Sequence, residues 1–285
     1  MLSSVAMAAP PVAPREAPTP ALVDTHTHLN DRRFAGDVDA VIERARAAGV
    51  GAMVVVGYDL ASSRRAVQLA QRSPWLWAAI GIHPHEAWLA TPATLAEIEA
   101  LASEPRVIAI GECGLDFYRN LSPPAAQRAA FEAQLALAAR RGLPVIVHSR
   151  AALAETLERL AALRPLPAGV LHCFDGTLEQ ARQAIELGFW ISCAGPLTYR
   201  RDPALAGVIA RVPLERLVIE TDCPWLSPAG HRGERNEPAY LPLIAQAVSR
   251  VRGVPLETVA RHTTQNAAAL FSTPALAAGL VEQAA

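Results

Sequence analysis

Four histidines and two carboxylates stand at the C-terminal ends of short apolar runs in this 285-residue chain: His26 and His28, Glu112, His148, His172 and Asp222. Two positions apart on an extended backbone, the imidazoles of His26 and His28 point the same way. Imidazole nitrogens and carboxylate oxygens hold divalent metal ions, and burying six such groups unpaired would be costly. A catalytic tetrahedral ion uses about three protein ligands plus water, so six donors suit two ions better than one. Glu112, with two carboxylate oxygens, is the expected bridge at the ~3.5–4 Å separation of two-metal sites. His26, His28 and Asp222 then complete one ion, and His148 and His172 the other. Asp222 is also placed to take a proton from the attacking water. Magnesium, manganese and zinc all remain open as the metal.

Around these lie residues suited to substrate. His83, at the end of another apolar run, is expected either to meet a phosphate or protonate a leaving oxygen, or to be an ordinary hydrogen-bonded histidine beside the ligands; His85 faces the same mouth. Asp116, Phe117, Tyr118 and Arg119 follow Glu112 in a loop that offers aromatic faces for bases and a cation for phosphate. Arg150, Arg200, Arg232 and Arg235 occupy other loops at that end and can contact phosphate locally. Asp24 and Glu220 share strand parity with neighbouring ligands and are expected to orient imidazoles. Cys113, Cys173 and Cys223 each follow a ligand, so strand alternation points them away into the core.

The elements that must position these groups are legible from periodicity. Apolar runs at 21–26, 51–57, 75–82, 106–111, 143–148, 168–174, 189–192 and 216–221 alternate with segments of helical spacing such as Val38, Val41, Ile42 and Ala45. Thr177 with Gln180 reads as a capping box, Gly188 as a helix stop, and Asn266 as a packing residue of a closing helix. Eight βα units in a chain of this size predict an α/β fold, a (β/α)8 TIM barrel over 21–273. The absence of GxGxxG after the first run weakens a dinucleotide-binding sheet. Residues 1–20, rich in Ala and Pro, are expected to be a flexible N-terminal tail and 274–285 a C-terminal one.

Composition closes off other classes. All 26 basic residues are arginine, which excludes a Schiff-base lysine, a P-loop lysine and a carboxylated lysine bridging metals. A net charge of −1 gives no global field to gather polyanions. There is no apolar run of about 20 residues to span a membrane, no basic region to open a signal peptide, and four widely spaced cysteines suit a reducing compartment. A soluble cytoplasmic protein with no membrane contact and no obligate protein partner is expected.

Taken in order, DTHTHLN (24–30), GIHPHE (81–86), IGECGLDFYRN (110–120), PVIVHSR (144–150), VLHCFDG (170–176), ISCAGPLTYR (191–200), IETDCPWLSP (219–228), RGERNEPAYLP (232–242) and TTQNAAALF (263–271) resemble the successive motifs of the TatD family of metal-dependent hydrolases. The resemblance covers about residues 22–271 and rests most on IGECGLDFYR and on HCF together with ETD. It implies a TIM barrel, two divalent metals on the six residues named above, and deoxyribonuclease activity that trims single-stranded DNA, or RNA, from the 3′ end. Arg200 stands where such proteins often carry lysine, and Glu234 where a basic residue is frequent. The expected mechanism is in-line attack on phosphorus by a hydroxide activated between the two metals. Two other readings remain: the same activated water cleaving an amide or ester, such as that of a mischarged aminoacyl-tRNA, and a non-catalytic protein using the metals only to brace its barrel.

Overall fold

The computed structural model describes residues 21–199 and 203–278; Arg200 and both expected tails beyond these bounds lie outside the described residues. Eight parallel strands run in sequence order around one sheet: β1 (Leu22–Thr27), β2 (Val50–Val56), β3 (Leu76–Ile80), β4 (Val107–Asp116), β5 (Val145–Arg150), β6 (Gly169–Leu171), β7 (Phe189–Cys193) and β8 (Leu217–Ile219). The intervening helices are α1 (Val38–Ala47), α2 (Leu60–Arg72), α3 (Pro92–Leu101), α4 (Pro124–Arg141), α5 (Leu153–Ala162), α6 (Leu178–Glu186) and α7 (Pro203–Ile209), followed by α8 (Leu241–Arg252), α9 (Leu256–Leu270) and the short α10 (Ala275–Ala278). This is the expected TIM barrel.

Strand alternation splits the core in two. Met53, Val55, Val145, Val147, Leu217 and Ile219 face the helices, with Val41, Val67, Phe131 and Leu160 packed over them. Val23, Val54, Val56, Ile146, Val170 and Val218 fill the barrel interior. His148, His172, Glu220 and Asp222 fall on the interior parity, two or four residues beyond Ile146, Val170 and Val218. Register shifts in β1 between Asp24 and Thr27, and against β5 between Ile110 and Cys113, adjoin the other donors; such irregularities re-aim side chains beside sites.

The barrel closes where the sheet ends. Beyond the three-residue β8, the chain rejoins β1 through a Thr27–Cys223 bridge, with His28 N–H donating to the Cys223 carbonyl at 2.8 Å and Asp222 N–H to that of His26 at 3.0 Å. Asp24 belongs to this seam. Its carboxylate accepts from the Thr221 amide at 2.9 Å and hydroxyl at 2.6 Å and from the His26 backbone N–H at 3.3 Å; among the described residues it bonds no imidazole ring, which corrects its expected orienting part. Burial raises its pKa to about 8 against those hydrogen bonds.

Four local expectations fare differently. Thr177 and Gln180 form the reciprocal box, and Asn266 donates to the carbonyls of Leu214 and Leu217, both at 2.7 Å. β4 runs to Asp116 instead of stopping at 111, so Glu112 lies inside a strand. Leu276 is 2% exposed in the interior cluster, so packing continues past the boundary expected at 273.

Candidate metal centre

Glu112 occupies the middle of the C-terminal mouth, and its two oxygens face different partners. Oε2 lies 3.5 Å from His26 Nε2 and 3.7 Å from His28 Nε2. Oε1 lies 2.7 Å from His148 Nδ1, 3.2 Å from His172 Nε2 and 3.5 Å from His83 Nε2. Asp222 Oδ1 stands 3.5 Å from His28 Nε2 and 3.8 Å from His26 Nε2, on the Oε2 side. Burial works to raise the Glu112 pKa, but His83, His172 and His148 hold it well below the ordinary carboxylate value. The carboxylate is therefore ionised.

The far side of each ring decides what the near side can do. His28 Nδ1 meets the Val56 carbonyl at 2.9 Å; a carbonyl only accepts, so Nδ1 carries the proton and Nε2 presents a lone pair. His172 Nδ1 likewise meets Glu220 at 3.0 Å, and Glu220 thereby orients it as expected. His148 is turned over: its Nε2 meets Asp116 at 3.2 Å and its Nδ1 faces Glu112. Lone pairs of these rings converge on carboxylate oxygens, and His26 Nε2 stands 3.0 Å from His28 Nε2. Such contacts are repulsive unless a proton or a metal cation lies between them, so this donor set fits a metal that takes the proton's place.

Among the described residues, ligand atoms lie within 4.8 Å of one another in three groups: His26, His28 and Glu112; His26, His172 and Asp222; His83, Glu112 and His148. His83 differs from the rest. Its Nδ1 accepts from the His85 backbone N–H at 3.0 Å, so the neutral ring carries its proton on Nε2, toward Glu112. Burial brings its pKa down to about 4, against the opposing pull of Glu112, which keeps the ring neutral. His83 is thus a hydrogen-bond donor and a poor ligand. Burial also depresses His26, with His172 stacked on it at 4.0 Å. For His172, burial is outweighed by Glu112 and Glu220, which hold its pKa well above the ordinary value, so a cation taken up at Nε2 would displace a proton.

The centre opens into a cleft of about 960 Å³ lined by Arg119, Arg150, Arg232, Tyr199 and Trp225, among others. Arginines lie over aromatic rings around it: Arg33 over Trp225 at 4.5 Å, Arg150 over Tyr118 at 4.2 Å, and Arg232 over Tyr199 at 4.3 Å. Trp225 also meets the His28 ring edge-on at 4.9 Å. Sequence reasoning missed Trp225, Tyr199 and Arg33; for the two aromatics the available signal was their place inside the quoted IETDCPWLSP and ISCAGPLTYR motifs.

Other expected substrate contacts are displaced. Asp116 is 0% exposed, with hydrogen bonds from His85, His148 and the amides of Tyr118 and Arg119, because β4 carries it into the wall. Phe117 is half-buried against the core, with Arg128 over its ring. Arg235 grips Asp37 through two hydrogen bonds of 2.8 and 2.6 Å and Glu237 at 2.8 Å, which occupies its guanidinium away from the cleft. Cys113 and Cys223 point to the helix side as expected. Cys173 instead lines the cleft: β6 has ended at Leu171 and its φ of 44° breaks the alternation.

Comparison with known proteins agrees with this geometry. The family model described as TatD related DNase matches residues 23–272. The 3'-5' ssDNA/RNA exonuclease TatD of Edwardsiella piscicida is 42% identical over 260 residues, covering 88% of this chain and 99% of that protein. An uncharacterised metal-dependent hydrolase, YabD of Bacillus subtilis, is 39% identical over 251 residues, covering 88% and 98%. The crystal structure of YjjV, a TatD homologue from Escherichia coli, superposes with a TM-score of 0.85 at 32% identity, covering 89% of this chain and 98% of that one.

Proposed function

Because the chain belongs to the TatD-related DNase family of metal-dependent hydrolases, we propose that it trims single-stranded DNA, or RNA, from the 3′ end with two divalent cations held on either side of Glu112. The observation that carries this reading is the division of the Glu112 carboxylate: Oε2 faces His26 and His28, and Oε1 faces His148 and His172. His26, His28, Asp222 and Glu112 would hold one cation, and Glu112, His148 and His172 the other. Bound there, the cations would polarise the phosphoryl group and make a water nucleophilic at neutral pH.

The protein's own groups do the rest. Asp222, half-buried beside the cleft, is placed to accept the proton of the attacking water. His83, neutral and protonated at Nε2, donates a hydrogen bond to the phosphoryl or departing oxygen, where charge grows. Arg119, Arg150 and Arg232 meet the backbone phosphates, while Trp225, Tyr199 and Tyr118 offer ring faces to unpaired bases. The arginine–aromatic pairs favour a single strand, since bases must be unstacked to reach them. Free Cys113, Cys173, Cys193 and Cys223 support a reducing, cytoplasmic setting, and no helix among the described residues is long and apolar enough to cross a membrane.

The test uses metal-free protein with 3′-labelled and 5′-labelled single-stranded DNA, adding Mg²⁺, Mn²⁺ or Zn²⁺ in turn, with His148→Ala as control. Metal-dependent loss of nucleotides from the 3′ end, abolished in the variant, is expected. Absence of cleavage by cation-loaded protein would overturn the nuclease reading and move attention to amide and ester substrates.

A further inference from the structure

The buried carboxylate of Asp116 is used at both ends. Oδ2 accepts from His148 Nε2 at 3.2 Å and from His85 Nε2 at 2.8 Å. Oδ1 accepts from the amides of Arg119 at 2.7 Å and Tyr118 at 3.0 Å, in the loop that carries Arg119 and Leu121 into the cleft and leaves Tyr118 66% exposed. Four donors converge on one acceptor-only group, and among the described residues no other side chain hydrogen-bonds both the His148 ring and that loop. The carboxylate is set by its strand: Gly114, two residues earlier, packs so closely on β5 that a Cβ would fall 1.9 Å from the His148 carbonyl.

We propose that Asp116 is a positioning residue that couples cation binding at His148 to the order of the substrate-facing loop 117–121. Fixing Nε2–H of His148 aims the Nδ1 lone pair at Glu112 Oε1, and the same carboxylate pins the loop amides. A cation that holds His148 still therefore holds Asp116 and the loop still, and by reciprocity an ordered loop favours the cation. This rests on the reading of the mouth as a metal centre. An amide cannot replace the carboxylate, because it presents an acceptor at one end only and must turn N–H toward donors at the other.

The experiment titrates full-length metal-free protein with Mn²⁺ by calorimetry and follows amide hydrogen exchange of residues 117–121 with and without Mn²⁺. In the unsubstituted protein, Mn²⁺ slows exchange at Tyr118 and Arg119. In Asp116→Asn, one class of Mn²⁺ site weakens by about 10- to 100-fold and the Mn²⁺-induced protection disappears. Tyr118→Pro, at an exposed position, deletes one loop amide and is expected to weaken the same class by about 5-fold or more, so the coupling stays testable if Asp116→Asn folds poorly. Equal Mn²⁺ binding by the unsubstituted protein and both variants, or loop exchange indifferent to Mn²⁺, overturns the coupling alone. An unsubstituted protein that binds no Mn²⁺ overturns the metal-centre reading as well.

Discussion

Whether a histidine in this mouth ligates or donates is decided at its second ring nitrogen. His28, His148 and His172 each direct an N–H at an acceptor, Val56 O, Asp116 or Glu220, and leave the inner nitrogen to a cation. His83 accepts on Nδ1 and turns its N–H inward. His83→Ala is therefore expected to lower kcat by about 10²–10³ with cation stoichiometry unchanged, and His83→Gln, which retains a donor, to recover part of it. Loss of a bound cation in His83→Ala, read by metal analysis, would contradict this assignment. The six donors are legible in the sequence because each sits at the end of an apolar run with a defined parity. The His83 tautomer is not, because it depends on a backbone N–H in the turn at His85.

At the scale of elements, β4 carries the most. It extends through Asp116 because Gly114, with φ of 142°, lets β4 and β5 pack at a distance no side chain permits. Gly114→Ala is expected to cost about 2–5 kcal/mol by chemical denaturation, combining overpacking with backbone strain, and to reduce cation binding through His148. A second element-level lock joins the loop of Arg235 and Glu237 to Asp37 and to Arg44 of α1. The pKa of Asp37 is lowered by its hydrogen bond from Arg235; that of Glu237 is lowered by Arg44 and Arg235 against burial. Groups with depressed folded pKa contribute stability above their unfolded value and lose it as pH falls through the folded one. The melting-temperature penalty of Arg235→Met should thus be present at pH 7 and shrink below about pH 4; a penalty that grows on acidification would refute the lock. Sequence periodicity places all eight strands, but β4 runs past its apolar run to Asp116, whereas β6 and β8 are shorter than theirs. Apolar runs mark burial, whereas strand ends depend on pairing with neighbours.

For the whole molecule, a net charge of −1 supplies no global attraction, so the proposed nucleic-acid substrate depends on local cations in the cleft. If Arg119, Arg150 and Arg232 meet phosphates as proposed, log K for single-stranded DNA falls with log salt at a slope of about −2, and Arg150→Gln and Arg232→Gln each flatten it by about 0.7. An unchanged slope in both variants would place the phosphates elsewhere. Barrel and mouth were readable together, and the six candidate donors meet there, because a TIM barrel gathers the C-terminal ends of its strands in one place. The rim was less so: Arg235 and Trp225 both lie in loops, and only three-dimensional packing separates the arginine held by carboxylates from the tryptophan left facing the cleft.

The proposed bridging by Glu112 is tested most directly by anomalous diffraction from crystals soaked in Mn²⁺. Two peaks about 3.5–4 Å apart are expected, one contacting Glu112 Oε2 with His26 and His28, the other contacting Oε1 with His148 and His172. A single peak at saturating Mn²⁺, or two peaks with Glu112 outside their coordination, would contradict the account.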